Sequence, residues 1–398
     1  MLSGRLDGLG DGPFTRLDKL LAQVAPAAGR ARIDLALGEP RQEFPAFVAE
    51  IVQRHASEWG RYPALRGSAP FRAAVVEYLR RRYRLPEGLL DAERHVVPLC
   101  GSREGLFLIA QVVVPQAGKE KPVVLIPNPY YVAYAGAAMG AGAEPVFVPA
   151  TAATGYLPDF AALPDSVLRR TRLCYLCSPS NPQGSVASAS YLERLVQLAR
   201  DHDFVLAIDE CYGEIYQDRP PIGALEVCAR PGGSLDNVVV FHSLSKRSSV
   251  PGLRSGFAAG DAKIINAFAR WRAYAAPTLA GPVQAASAAL WADDAHVAAT
   301  RQAYAEKFAV AERMLGNRFG YRRPDGTFFV WLKVGNGEQA TRRLWSEAAL
   351  RVMPGAYLSF GDGDDNPGAP YIRVALVDDL ATTTDALTRI SETLEKPH

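Results

Sequence analysis

The sequence predicts an α/β fold, with a sheet of about seven strands in a large domain and a second, smaller α+β domain. Three observations carry this. From about residue 95 to 260, short apolar runs bounded by Gly, Pro and Asn alternate with longer stretches of helical periodicity, which is the pattern of a parallel α/β sheet. Past about residue 275 the pattern changes to long Ala-rich helical segments followed by two apolar strands. A chain of 398 residues also exceeds what one ordinary core serves, and two domains suit it best.

In chain order, Met1-Leu2-Ser3-Gly4-Arg5 leads into a polar, Gly-rich segment that lacks the apolar stretch of a secretory leader. Ser68 reads as the N-cap of a helix with Pro70 in its first turn and Phe71, Val75 and Leu79 on one face. The basic run Arg80, Arg81, Arg82 and Arg84 falls at the end of that helix and reads as a solvated face. The expected sheet strands are Val96–Leu99, Val123–Ile126, Pro145–Val148, Leu173–Cys177, Phe204–Ile208, Val238–Phe241 and Gly256–Ala259. Between them lie a helix opened by Ser102 and one over Tyr191–Arg200, where Leu192, Leu195 and Leu198 recur at a helical interval. Phe328–Leu332 and Tyr371–Leu376 read as strands of the smaller domain, the Pro277 and Pro282 region as a junction, and Gly361–Gly368 as a surface loop.

Composition narrows the function classes. Apolar residues make up 48% and charged residues 22%, so a globular core can form without disulfides. A net charge of +2 provides no general field for nucleic acid. No apolar run is long enough to span a membrane. Five scattered cysteines, an odd number, point to a reducing compartment and hence the cytoplasm. Cys174 and Cys177 have the spacing of half a zinc site, but on a strand they point to opposite faces, so core cysteines and no metal are expected.

The residues that carry chemistry sit just after expected strands. Lys246 follows Val238–Phe241 within Ser243-Leu244-Ser245-Lys246, where an amine at the mouth of an α/β sheet can hold an aldehyde, flanked by two hydroxyls and, eight residues on, by Arg254. Asp209 ends another strand and requires a cation or strong donor if buried, a role that a protonated pyridine nitrogen fills; Tyr212 lies three residues further. Asn181, in Ser-Asn-Pro-Gln-Gly, can donate its amide to an oxyanion. Gly101-Ser102-Arg103 opens a helix and aims free N–H groups at any anion before it. Taken singly, each has a plainer reading: a lysine on a turn, a capping or metal-binding aspartate, an Asn-Pro turn, a helix start.

Together, and in this order with a late apolar strand bearing Arg373, they resemble the fold-type I pyridoxal-phosphate enzymes, specifically the class I/II aminotransferases. The resemblance runs from about Asp34 to the C-terminal helix. It implies a mixed seven-stranded sheet, a small domain built from both termini, and a homodimer with active sites at the subunit interface. The expected division is 1–45 as N-terminal arm and part of the small domain, 46–275 as the large cofactor-binding domain, and 276–398 as the C-terminal small domain. The resemblance further implies that Lys246 binds the cofactor aldehyde and later moves a proton between the substrate Cα and the cofactor, and that Asp209 keeps the pyridine nitrogen protonated. Asn181 and Tyr212 match the pair on the ring's phenolate oxygen, and Tyr131 the aromatic stacked on the ring. Ser102 and Arg103 through their backbone, with Ser243, Ser245 and Arg254, match the phosphate cup, and Tyr62 the tyrosine that reaches the neighbouring subunit's phosphate. Arg373 corresponds to the arginine that grips the substrate α-carboxylate, and Gly38 to the glycine beside it.

Within the family, the lysine region Ser243–Phe257, the stretch Pro13-Phe14-Thr15-Arg16-Leu17 and the late motifs around Phe329, Pro354 and Arg373 look most like succinyldiaminopimelate aminotransferases. That implies amino transfer from glutamate to N-succinyl-2-amino-6-oxopimelate. Gln183 where the family has Thr, and Ser248-Ser249 where it has Ser-Asn, are departures that bear on the acceptor. Both substrates carry a distal carboxylate, for which Arg41, Arg66 and Arg103 are the candidate cations. Rival readings are an aminotransferase for aspartate, alanine or an aromatic amino acid, a pyridoxal-phosphate lyase or synthase on the same scaffold, and a regulator with a degenerate domain.

Overall fold

The computed structural model describes residues 8, 10–116, 118, 120–230, 233–275 and 278–396, so Met1–Arg5 and Pro277 of the expected junction lie outside the described residues. The strands are β1 (Ile33–Asp34), β2 (Val96–Leu99), β3 (Val123–Asn128), β4 (Glu144–Pro149), β5 (Thr171–Cys177), β6 (Val205–Asp209), β7 (Val238–Ser243), β8 (Gly256–Gly260), β9 (Phe329–Lys333), β10 (Leu350–Arg351), β11 (Met353–Pro354) and β12 (Tyr371–Ala375). The helices are α1 (Pro13–Leu21), α2 (Phe47–Arg54), α3 (Ala69–Tyr83), α4 (Ser102–Val113), α5 (Val132–Gly140), α6 (Asp165–Leu168), α7 (Ala189–Asp201), α8 (Ala224–Cys228), α9 (Leu244–Arg247), α10 (Ala262–Ala275), α11 (Gly281–Ala292), α12 (Ala295–Leu315), α13 (Gly337–Ala348) and α14 (Leu380–Glu395).

All seven expected strands join one sheet, in the order β2-β8-β7-β6-β5-β3-β4. Their apolar runs are continuous because both faces are covered, as parallel sheets require. Val124 and Ile126 face a cluster with Leu106, Ile109 and Phe268, whereas Val123 and Leu125 face the opposite cluster with Phe71, Leu192 and Trp291. The sheet is mixed: β8 runs antiparallel to both β2 and β7. Its link from β7 holds the one-turn helix α9 and a 3-10 turn at Pro251–Leu253, too little for the crossover that a parallel neighbour needs.

The smaller α+β unit contains the antiparallel sheet β11-β12-β9, covered by α12, α13 and α14. β1 pairs in parallel with β10, which ties the N-terminal segment to the C-terminal part of the chain. Helix α11 instead packs with the large unit, where Leu290 and Trp291 are fully buried. The two units are keyed together at the end of β3. Asn128 Nδ2 donates to the Phe360 carbonyl at 2.9 Å, its Oδ1 accepts from the Phe360 amide at 2.9 Å, and the Phe360 ring stacks on Phe147 with centroids 4.2 Å apart. The Gly361–Gly368 loop that follows is exposed over 362–365 but is anchored by buried Asn366, which donates to the carbonyls of Ala356 and Gly361.

Helix α3 follows its expected start, with the Ser68 hydroxyl accepting from Phe71 N. Its basic end forms the expected solvated face at exposed Arg80, Arg81 and Arg84 but not at Arg82. Arg82 turns inward to donate to the Gly213 and Pro221 carbonyls and lies 3.3 Å from Glu214, because a buried carboxylate there needs a cation. Cys174 is buried among the residues under α7, and Cys177 in a separate aromatic cluster beside Tyr212 and Phe329, so the pair points to opposite faces. Among the described residues no helix is long and apolar enough to cross a membrane.

The reversed strand β8 gives a stability test. Phe257 stacks on His242 with centroids 5.0 Å apart and meets Trp291 edge-on at 4.9 Å. Phe257→Ala should cost about 3–5 kcal/mol, seen as a lower urea midpoint by circular dichroism; an unchanged midpoint would show that this layer is not load-sharing.

Candidate active site

The sheet delivers its chemistry to one edge. β3 to β7 run parallel, and β2 runs with β7 because both oppose β8, so the C-terminal ends of six strands face the same way. Reversed β8 presents its N-terminal end there. Residues 102–103, 130–131, 181, 209, 211–212, 243, 245–246 and 254 therefore meet at a cavity of about 640 Å³, although they span more than 150 positions of sequence. Gly38 and Arg373 from the smaller unit close it.

Asp209, the last residue of β6, is buried at 5% exposure. Its Oδ2 accepts from Tyr134 Oη at 2.9 Å and its Oδ1 from the Cys211 amide at 3.1 Å. Burial raises its pKa above the ordinary carboxylate value, against the lowering effect of these hydrogen bonds. No ion pair reaches it among the described residues. Lys246, in α9, donates from Nζ to the Gly38 carbonyl. Burial, with Arg373 and Arg254 nearby, lowers its pKa to about 8, the direction that frees an amine for nucleophilic or base chemistry.

Anion-binding groups gather beside the lysine. Gly101 (φ +83°) turns the chain into α4, whose first turn carries no side-chain cap, leaving its N–H groups directed outward. Ser243 Oγ accepts from the Ser245 amide at 3.1 Å, and Arg254, at φ 52°, donates to the Pro251 carbonyl at 2.9 Å. Its positive φ favours glycine at position 101, and a Cβ there would push the Arg254 guanidinium aside. Tyr131 lines the same cavity, its hydroxyl accepting from Arg103 Nε.

Arg373, mid-strand in β12, is buried at 5% exposure. Nη1 donates to Asn181 Oδ1 at 2.9 Å, Nη2 to the Ala36 carbonyl at 2.7 Å, and the guanidinium stacks over Phe329 at 4.2 Å. Its Nε has no hydrogen-bond partner, and burial lowers its pKa to about 10, which still leaves it charged at neutral pH. A Cβ on Gly38 would overlap the Phe329 ring, so that position also requires glycine. Tyr212 meets the Phe329 ring edge-on at 5.9 Å.

Of the three cations expected for a distal carboxylate, only Arg103 lines the cavity. Arg41 pairs with Asp378, and Arg66 donates to Asn266 and the Glu93 carbonyl; closeness to motifs in sequence did not carry them to the same edge. Tyr62 is fully exposed and does not line the cavity of its own chain. Three contributors were given no site role by the sequence reading. Tyr134 was hidden in an apolar helix, where only the need of a buried tyrosine for a partner could have signalled it. Phe14 and Thr15, at the start of α1, also line the cavity; the Gly12-Pro13 helix start was the available signal for that element.

The sheet order and the edge-gathered amine, carboxylate and anion groups define a fold-type I scaffold built for an aldehyde cofactor. Residues 30–390 match the family model described as aminotransferase class I and II, and the chain belongs to that family. It is similar to the LL-diaminopimelate aminotransferase of Moorella thermoacetica, 33% identical over 96% of each chain, and to that of Desulforudis audaxviator, 32% identical over 95% of this chain and 94% of the other. Among solved structures it resembles an aminotransferase from Neisseria meningitidis (38% identity, TM-score 0.93, covering 98% of this chain and 99% of the other). An aminotransferase AspB from Helicobacter pylori is also similar (35% identity, TM-score 0.90, covering 98% and 100%). The family depends on pyridoxal 5'-phosphate. The cavity fits that group: a buried carboxylate lacks a cation, an amine has its pKa lowered to about 8, and α4 opens at Gly101 with its first N–H groups uncapped.

Two measurements follow. Gly101→Ala should displace Arg254 and weaken pyridoxal phosphate binding to the apo-protein about ten-fold or more, read by fluorescence titration; unchanged affinity would remove Arg254 and its turn from the cradle. Lys246 is charged below its pKa and uncharged above it, so covalent uptake of the cofactor should rise with pH through a midpoint near 8 and level off above it. Stopped-flow absorbance would record that midpoint, and a rate still climbing towards the ordinary lysine range would contradict it.

Proposed function

We propose that this aminotransferase moves the amino group of glutamate to N-succinyl-2-amino-6-oxopimelate, releasing 2-oxoglutarate and the succinylated diaminopimelate. The supporting observation is the pair of arginines on one cavity, Arg373 and Arg103, neither in an ion pair with a protein carboxylate among the described residues. That arrangement suits a substrate with a carboxylate at each end, and a cavity of about 640 Å³ has room for a long acid beside the cofactor. A second reading, amino transfer on LL-diaminopimelate without the succinyl group, is favoured by the names of the relatives above.

In this proposal Arg373 takes the substrate α-carboxylate in a bidentate grip beside Gly38, and Arg103 faces the distal one. Pyridoxal phosphate supplies the aldehyde that carries the amino group and a ring that withdraws electrons from the α-carbon. Lys246 Nζ holds the cofactor and then moves the proton at the substrate α-carbon, which requires the amine to be uncharged part of the time near neutral pH. Asp209, aligned by Tyr134 and the Cys211 amide, keeps a proton on the pyridine nitrogen. Asn181 and Tyr212 hydrogen-bond the phenolate oxygen, Tyr131 stacks on the ring, and Ser102, Arg103 N–H, Ser243, Ser245 and Arg254 hold the phosphate.

The proposed assembly is a cytoplasmic homodimer, in which exposed Tyr62, with Trp59 and Leu65 nearby in sequence, reaches the partner's phosphate site. The proposed division keeps 1–45 and 276–398 for the arm and small domain and 46–275 for the large domain, with α11 packed back onto the latter.

The test is half-reaction spectroscopy. The purified, yellow enzyme should lose its aldehyde-form absorbance with glutamate and with succinyldiaminopimelate, and aspartate, alanine and aromatic amino acids should react at least about ten-fold more slowly. Reaction with LL-diaminopimelate but not its succinyl derivative selects the second reading, and reaction with neither sinks both. Lys246→Ala should abolish turnover, and an undiminished rate would refute its assignment.

A further inference from the structure

Behind the segment that carries Tyr212 lies a second cavity, of about 280 Å³, walled by Arg81, Arg82 and Arg84 from the end of α3, Arg301 from α12, and Glu214 and Tyr216 from the segment itself. Four guanidiniums line it against two carboxylates, Glu214 and Asp294, an excess of two positive charges. Those carboxylates are shared out thinly. Glu214 Oε1 already accepts from Tyr78 Oη at 2.9 Å, and it meets Arg82 and Arg301 only at 3.3 Å. Asp294 lies 3.4 Å from Arg81 but 2.9 Å from buried Arg247, which takes its other oxygen.

Several donors remain unspent. Arg84 makes no ion pair or side-chain hydrogen bond among the described residues, and Arg301 uses only Nη1, on Glu214. Arg82, by contrast, is committed, its Nη2 to the Gly213 and Pro221 carbonyls and its Nε to the 3.3 Å ion pair with Glu214. Arg301 and Arg82 are held in place by Tyr216, whose ring centroid lies 4.4 Å and 5.8 Å from their guanidinium carbons. Planar donors around a concavity, with fewer carboxylates than cations, are the arrangement that recognises oxyanions bidentately. A merely solvated basic face would spread its charges on a convex surface instead.

We propose that this cavity is an anion site for a compact polyvalent oxyanion, phosphate or a small polycarboxylate, separate from the cofactor cavity. The ligand accepts hydrogen bonds from Arg84 and Arg301 and supplies the negative charge that Glu214 and Asp294 leave short.

Isothermal titration calorimetry on the pyridoxal-phosphate-loaded enzyme, whose own phosphate cradle is filled, tests this with inorganic phosphate and with citrate at constant ionic strength. One site per chain should saturate with at least one of them, and a preference for phosphate or for citrate identifies which oxyanion class the cavity takes. Arg84→Gln and Arg301→Gln should each weaken that binding about ten-fold or more. Arg313→Gln, an exposed arginine about 18 Å further along α12, should leave it unchanged. Absence of saturable binding for both anions overturns the proposal. So does binding that survives both cavity substitutions, or that falls equally in Arg313→Gln, since it would then reflect net charge alone. Arg84→Gln, made where no protein partner is lost, keeps the test valid should Arg301→Gln fold poorly.

Discussion

Desolvated charge without a protein counter-ion is the constraint around which the main cavity is built. Asp209 and Arg373 are buried, Lys246 is partly so, and among the described residues none of them has an ion-pair partner. Burial pushes each towards its neutral form: the carboxylate up, the amine and guanidinium down. A fold selected for stability alone would be better served by apolar residues at these places, since unpaired buried charge is among the costlier things a protein can carry. The arrangement makes sense when each missing partner arrives with a ligand: a pyridinium for the aspartate, a carboxylate for the arginine, an aldehyde for the lysine. Neutral dipoles hold the charges meanwhile, through Tyr134 on Asp209, Gly38 on Lys246 and Asn181 on Arg373.

Much of this was legible in the chain because the sheet's own rules expose it. Continuous apolar runs named all seven large-sheet strands, and residues just beyond strand ends named the cavity. What escaped depended on direction or on distance in space. Gly-Phe-Ala-Ala-Gly reads the same whether its strand runs with or against its neighbours, so residue patterning did not reveal the reversal of β8, which entered only through the family resemblance. Arg41 and Arg66 stand near motifs in sequence yet are drawn to Asp378 and Glu93. Within the otherwise exposed run at the end of α3, the inward turn of Arg82 was missed because nothing local announced that Glu214, some 130 residues away, would be buried beneath it.

The stretch from Asp209 to Tyr216 serves two cavities in succession. Asp209 and Tyr212 line the cofactor cavity, and Glu214 and Tyr216 line the arginine cavity behind it. Its position is fixed at both ends, by β6 pairing with β5 and β7 and by the bridge between Tyr216 and Gly326. Thr327 N also donates to the Ile215 carbonyl at 2.8 Å, which holds the segment against the smaller unit.

The clasp between Asn128 and Phe360 has an implication for how the smaller unit finds its place. An amide side chain facing a peptide unit offers one donor and one acceptor to one acceptor and one donor, so the match depends on polarity as well as shape. Aspartate has the same outline but would set a carboxylate against a carbonyl oxygen, and leucine would offer neither group. The docking of the 358–360 segment beside Tyr130 and Tyr131 is thus written as a two-letter code rather than as grease, and a code of that kind rejects a misaligned partner instead of tolerating it.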